Sequence, residues 1–222
     1  MAVKLNDNAL TTLDAVKELL DIPALAADAD PAEVEVMKRV DNNLIRLINA
    51  ASQWVETQTG RTLGKTEHIE RLPGSGDQEL VLQQWPIIEV KYVKDTTCNK
   101  KIPKETYDFT MTGMIGAIYK DDGWIFRGYR AGLANDYIAS RRYLEVRYTA
   151  GYVLPKDATE ETPATLPDDL QSVVWGIVEQ EFSIRMNGAQ GLAAFSLADV
   201  SWTFDKEPRP SWMATISRYA RL

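Results

Sequence analysis

The chain has 222 residues, 45% hydrophobic and 26% charged, with a formal net charge of −7, so it is long enough to bury a core without staples. One cysteine, Cys98, and one histidine, His68, exclude an intrachain disulfide framework and a Cys/His zinc cluster. The excess of carboxylates argues against general nucleic-acid binding, which rests on Lys and Arg neutralising phosphate.

Thr11 to Leu20 reads as a short helix, with Thr12 as its cap and Leu13, Val16, Leu19 and Leu20 on one side, ending before Pro23. Ala24 to Ala29 is a small-residue linker. Asp30-Pro31-Ala32-Glu33 is a helix start, with Asp30 as cap and Pro31 at the first helical position. From there Val34, Met37, Val40, Leu44, Leu47, Ile48, Ala51, Trp54 and Val55 recur at three- and four-residue steps, a stripe that must be buried. Gly60 supplies the stop. Asp41 is a second possible cap, so 31–59 is either one helix or two, and the continuous phase favours one.

From Leu63 to about Tyr152 the period shortens. Glu67–Leu72, Glu79–Leu82, Ile87–Val93, Tyr107–Met111, Gly116–Tyr119 and Tyr143–Tyr148 are predicted strands, separated by turns such as Pro73 to Gly76 and Asp121-Asp122-Gly123. Arg127 to Arg142 reads as a loop in which Arg127, Arg130, Arg141 and Arg142 outnumber Asp136, a candidate contact loop. A polar connector, Pro155 to Pro167, leads into a second long helix marked by Leu170, Val173, Val174, Ile177, Val178 and Phe182. Trp175 and Phe182 are the right size to pack against Trp54. Phe195 to Phe204 alternates like an extended segment, and Trp212 to Tyr219 fits a last short helix. The expected class is α+β: a helical core from 1–63 and 153–222, an inserted β-rich subdomain over 64–152, and an extended C-terminal arm.

Little in the chain suggests chemistry. His68 lies in an alternating strand beside Glu67 and Glu70, and Cys98 sits without a partner in the Lys-rich turn Lys94 to Lys101. Gly74-Ser75-Gly76 precedes a strand, whereas a phosphate loop opens a helix. Asp168 and Asp169 suit a helix N-terminus better than a metal. No catalytic, cofactor or metal residue is expected. For Trp124, Trp202 and Trp212 the sequence leaves interface burial and internal packing equally open.

The tail holds Lys206, Arg209, Arg218 and Arg221 against Glu207, so it is basic on an acidic body. It reads either as an arm that is mobile before it docks on an acidic partner, with Trp212 and Tyr219 as anchors and Arg218 and Arg221 steering, or as ordinary solvated charge on a segment that packs back on its own helical core.

The order of motifs carries a resemblance. Leu10 to Lys17, Asp41 to Ile45, Thr59-Gly60-Arg61-Thr62-Leu63, Trp85-Pro86-Ile87-Ile88-Glu89-Val90, Val146 to Tyr152, Leu166-Pro167-Asp168-Asp169-Leu170 and Phe195 to Ser201 together resemble the head-tail connector, or head-completion adaptor, family of tailed bacteriophages. Ala198 stands where many relatives have Gly. The resemblance implies a virion protein made in the bacterial cytoplasm, assembled as a ring, typically of twelve copies, beneath the portal protein. The ring would extend the DNA channel, let DNA pass without specific binding, and offer a platform to the next neck or tail-completion protein. No cofactor and no membrane are implied. The rival reading is a small hydrolase with a carboxylate-based site in the β-rich insertion.

Overall fold

The computed structural model describes residues 3–26, 28–125, 142–186 and 208–220, together with the backbone of 194–197 and 200–203. It divides into two compact units, Met1–Arg61 with Val153–Ala220, and Thr62–Tyr152.

The first unit is helical. Helix α1 (Leu13–Leu19) starts where the Thr12 side chain accepts a bond from the Ala15 N–H. Helix α2 (Pro31–Thr59) is one continuous helix of 29 residues: Asp30 accepts from Ala32 N–H, Pro31 occupies the first turn, and Gly60 ends it with φ 65°. Asp41 is therefore not a cap; its carboxylate pairs with Lys17 of α1 at 2.6 Å. Helix α3 (Asp168–Met186) packs along α2. Leu44, Leu47, Ile48, Ala51 and Val55 of α2 are buried, as are Leu170, Val173, Val174 and Val178 of α3. Each large aliphatic side chain in this seam contributes about 1.5–3 kcal/mol.

The tryptophans expected to face each other take a lesser part. Trp54 and Trp175 are half-buried, and Trp175 donates its indole N–H to Thr11 Oγ1 at 2.8 Å. The α2–α3 pairing rests instead on the branched aliphatics. Strands β7 (Ala194–Leu197) and β8 (Val200–Thr203), in a later part of the chain, pair antiparallel as a hairpin. Helix α4 (Pro210–Tyr219) then packs on α2 and α3.

The second unit holds an antiparallel four-stranded sheet in the order β1-β6-β3-β4, formed by β1 (Thr66–Leu72), β3 (Ile87–Asp95), β4 (Lys100–Ile102) and β6 (Leu144–Ala150). A two-stranded ribbon joins β2 (Glu79–Val81) to β5 (Ala117–Tyr119). The alternation of β6 places Leu144, Val146, Tyr148 and Ala150 in the core, with Val90, Val93, Leu80, Ile118 and Trp124. The strand expected over 107–111 does not form. Asp108 makes one bridge to Tyr119, and its carboxylate then accepts from the Thr110 N–H and hydroxyl, which turns the chain into a short 3-10 segment at 113–115.

The Thr149-Ala150-Gly151-Tyr152 motif closes this unit. Gly151 has φ 108°, and a Cβ there would stand 2.5 Å from the Gly64 carbonyl oxygen, so no side chain fits. Tyr152 N–H donates to Leu63 O and Lys65 N–H to Tyr152 O, both at 2.8 Å.

Candidate interaction surfaces

The residues picked out in the tail lie mostly on α4. Ile216 is buried, and Trp212 lies flat on α3 at Gly176, where an added Cβ would meet its ring at 2.9 Å. The Tyr219 hydroxyl donates to Asp169 Oδ1 at 2.8 Å and Arg218 to Asp169 Oδ2 at 2.9 Å. From α2's end, the buried Arg61 donates to the Tyr219 carbonyl at 3.0 Å. The Thr59-Gly60-Arg61 motif thus has a structural role: helix stop, then a guanidinium that satisfies the C-terminal end of α4.

The expectation of an arm mobile before docking is corrected for 210–219. Trp212 and Tyr219 spend their bulk on the chain's own helices, because a groove floored by Gly176 admits an indole. What α4 leaves to solvent is Pro210, Ser211, Met213, Ala214, Ser217 and Arg218, with Arg209 stacked over the Trp212 ring at 5.1 Å. Arg221 lies outside the described residues, as do Arg127, Arg130 and Arg141; Arg142 is an exposed turn residue.

An apolar surface that sequence reasoning missed lies on the second unit. From Phe109 to Tyr119 the chain has no charged residue, and Met111, Met114 and Ile115 are 89%, 68% and 63% exposed. Gly113 is held against Ile87, and Gly116 against Trp85 and Leu82, which fixes this turn on the sheet unit. Exposed apolar side chains grouped in one turn are candidates for contact with another protein, and Met suits such surfaces because it repacks easily. The signal was present as an uncharged run that includes two methionines, but its alternation was read as strands.

The outer face of the sheet is polar and self-paired. Glu67 pairs with Lys91 and Arg147, and Arg71 with Glu145 at 2.9 Å, while Tyr92 donates to Glu145 at 3.1 Å. Hydrogen bonds from Lys91 and Arg147 hold the Glu67 carboxyl below the usual carboxylate range, and bonds from Arg71 and Tyr92 do the same for Glu145. Groups whose pKa is depressed on folding add stability above the ordinary carboxylate pKa and lose it as pH falls through the folded value. The double substitution Glu67→Gln and Glu145→Gln should therefore lower the melting temperature modestly at neutral pH, leave it nearly unchanged near about pH 3, and so flatten the fall between the two.

The same geometry bears on chemistry. Glu70 is tied to the fold, accepting from the buried Tyr148 hydroxyl and from Gln83 N–H. His68 is half-buried with its ring 5.6 Å from Tyr148, and burial lowers its pKa. An open cleft of about 870 Å³ is lined by Asp77, Glu79, Asp121 and Asp122, and none of the paired carboxylates of the sheet is in its lining. No group of three potential metal ligands occurs among the described residues, and no described helix is long and apolar enough to cross a membrane.

A search of curated proteins finds no match. Among solved structures, the chain is similar to one in the neck of an empty gene transfer agent particle computed with C6 symmetry, at 15% identity and TM-score 0.52, covering 100% of this chain and 95% of that one. It is also similar to a chain of the native gene transfer agent virion, at 16% identity, TM-score 0.49 and coverages of 100% and 95%. A chain from the neck of the native particle computed with C12 symmetry matches at 17% identity, TM-score 0.47 and coverages of 90% and 93%. The first of these shows a shared fold. The family model described as "Head completion protein" matches residues 9–178, a span that runs from before α1 through the whole β unit and most of α3. The chain belongs to the head completion protein family.

Proposed function

We propose that this protein is a non-enzymatic head-tail adaptor in the neck of a phage-like particle, forming a ring of copies, twelve in number, beneath the portal. The observation that carries this reading is the family match over residues 9–178. The fold shared with a gene transfer agent neck chain supports it. In this role the ring extends the DNA channel. Its acidic balance favours passage, because a surface that neutralises few phosphates does not gain the counterion release that would hold DNA in place. The uncharged turn with Met111, Met114 and Ile115 offers the platform for the next neck or tail-completion protein. Portal docking falls to the tail, where Trp212 and Tyr219 hold α4 in place, Arg218 and Met213 face outward, and Arg221 follows. Arg127, Arg130, Arg141 and Arg142 remain the contact-loop residues of this proposal.

Electron microscopy of the full chain mixed with its cognate portal is the test. A closed ring of this chain seated on the portal is expected, with Arg218→Glu lowering occupancy. Failure to bind any portal surface, with the chain folded, would overturn the reading.

A further inference from the structure

We infer that the first three turns of α2 are one half of the contact between copies of this chain, and that the tip of the β3–β4 hairpin in the neighbouring copy is the other half. The inference rests on the ring reading above. Its starting point is a mismatch of lengths: at 1.5 Å per residue α2 is about 43 Å long and α3 about 28 Å. No residue of α2 before Leu44 is fully buried: the apolar stripe continues through Val34, Met37 and Val40, which are only half-buried, and Val36 is 60% exposed. A helix end gains most of its stability from packing, so an apolar stripe that runs on beyond its cover calls for a partner.

Charge identifies the partner as a second copy. Asp28, Asp30, Glu33 and Glu35 are exposed and follow one another with no basic residue between them. Asp30 and Glu33 also favour the helix start, but Asp28 lies before the cap and Glu35 reaches only Arg39, at 3.8 Å. The same chain carries the opposite charge on the hairpin. Lys100 and Lys101 are exposed beside the tip at Cys98 and Asn99, and Lys104 is exposed just beyond the other end of β4. Lys101 lies 5.2 Å above the Tyr92 ring, and Lys100 and Lys104 have no ion-pair partner among the described residues. The start of α2 is acidic and apolar, with Lys38 and Arg39 following only after Glu35, whereas the stretch from Lys100 to Lys104 is basic, with Glu105 following, and the two belong to different units of one chain. Such a contact is heterologous, and repeated head to tail it continues past a dimer, closing a ring where its rotation allows. The charges set partner choice and register, while Val34, Val36 and Met37 supply the buried area.

Sedimentation of the full chain over a range of concentrations, alone and with portal, tests this through charge reversal. Glu33→Lys with Glu35→Lys, and separately Lys100→Glu with Lys101→Glu, should each weaken self-association about tenfold or more, and the four changes combined should restore it. Val36→Cys supplies a partner for Cys98, the sole native cysteine, and a short bis-maleimide should then give a ladder of trimers and larger species. A product that stops at dimers overturns the head-to-tail arrangement. Rings that form unimpaired in both charge-reversed proteins overturn this contact and leave the ring reading standing, whereas an unmodified chain that stays monomeric even on the portal overturns both.

Discussion

Replacing Trp124 with Ala should destabilise the protein by about 3–5 kcal/mol, the range for a large aromatic taken out of a packed core. Trp124 is 2% exposed, with its ring 6.2 Å from that of Tyr107 and among Leu80, Ile118 and Tyr143. Its indole N–H donates to Ile118 O at 3.1 Å, and its backbone exchanges bonds with Asp77 and Gly76, so one residue ties the β2–β5 ribbon to the turn before it. Trp124→Phe keeps most of the volume but leaves the Ile118 carbonyl short of a donor, and should cost about 1–3 kcal/mol. Denaturant unfolding followed by near-ultraviolet circular dichroism separates the two. An unchanged midpoint for the Ala variant would refute the core assignment.

Ending the chain after Asp205 should lower stability by at least about 3 kcal/mol, or roughly 6–12 °C in melting temperature for a chain of this size. Removing Ile216 alone uncovers a site where loss of the side chain costs about 2–5 kcal/mol. The buried Arg61 loses the Tyr219 carbonyl, and a hydrogen bond to a charged group is worth about 1.5–3 kcal/mol. Asp169 would lose both Arg218 and Tyr219. Calorimetry of the truncated chain decides the matter: a melting temperature equal to that of the full chain would mean that α4 is only loosely held. Because truncation damages the helical unit, the portal test is better made with Arg218→Glu, which gives up the ion pair to Asp169 but leaves Ile216 and Trp212 in place, with its melting temperature measured alongside.

The sequence is most legible where the physics is local. Thr12, Asp30, Pro31 and Gly60 act on N–H and C=O groups within a turn of themselves, and each does in the structure what its type suggests. The alternation from Leu144 to Ala150 was readable because a half-buried strand repeats every two residues. Short or charged pieces were not. Strand β4 hides in Lys100-Lys101-Ile102, whose pairing with Val93, Lys94 and Asp95 comes from the hairpin and not from its own composition. The fate of the aromatics was least legible, since burial of Trp124 and the seat of Trp212 on Gly176 depend on neighbours far along the chain. The interaction surfaces fared in the same way: α2's apolar stripe was plain, but that its first three turns are only half-covered depends on where α1 and α3 pack along it.

The joint at Leu63, Gly64 and Tyr152 also bears on the order in which the chain folds. The α2–α3 seam links residues more than a hundred positions apart, an expensive loop to close in an unfolded chain. Once the β unit has folded, Leu63 and Tyr152 are hydrogen-bonded neighbours, and the loop left between Thr59 and Asp168 shrinks to about twenty residues, a saving on the order of 1.5 kcal/mol. A folding route that forms the inserted unit early therefore meets a lower entropic barrier than one that begins with the helices, and substitutions in the sheet should slow refolding of the whole chain even where they touch no helix.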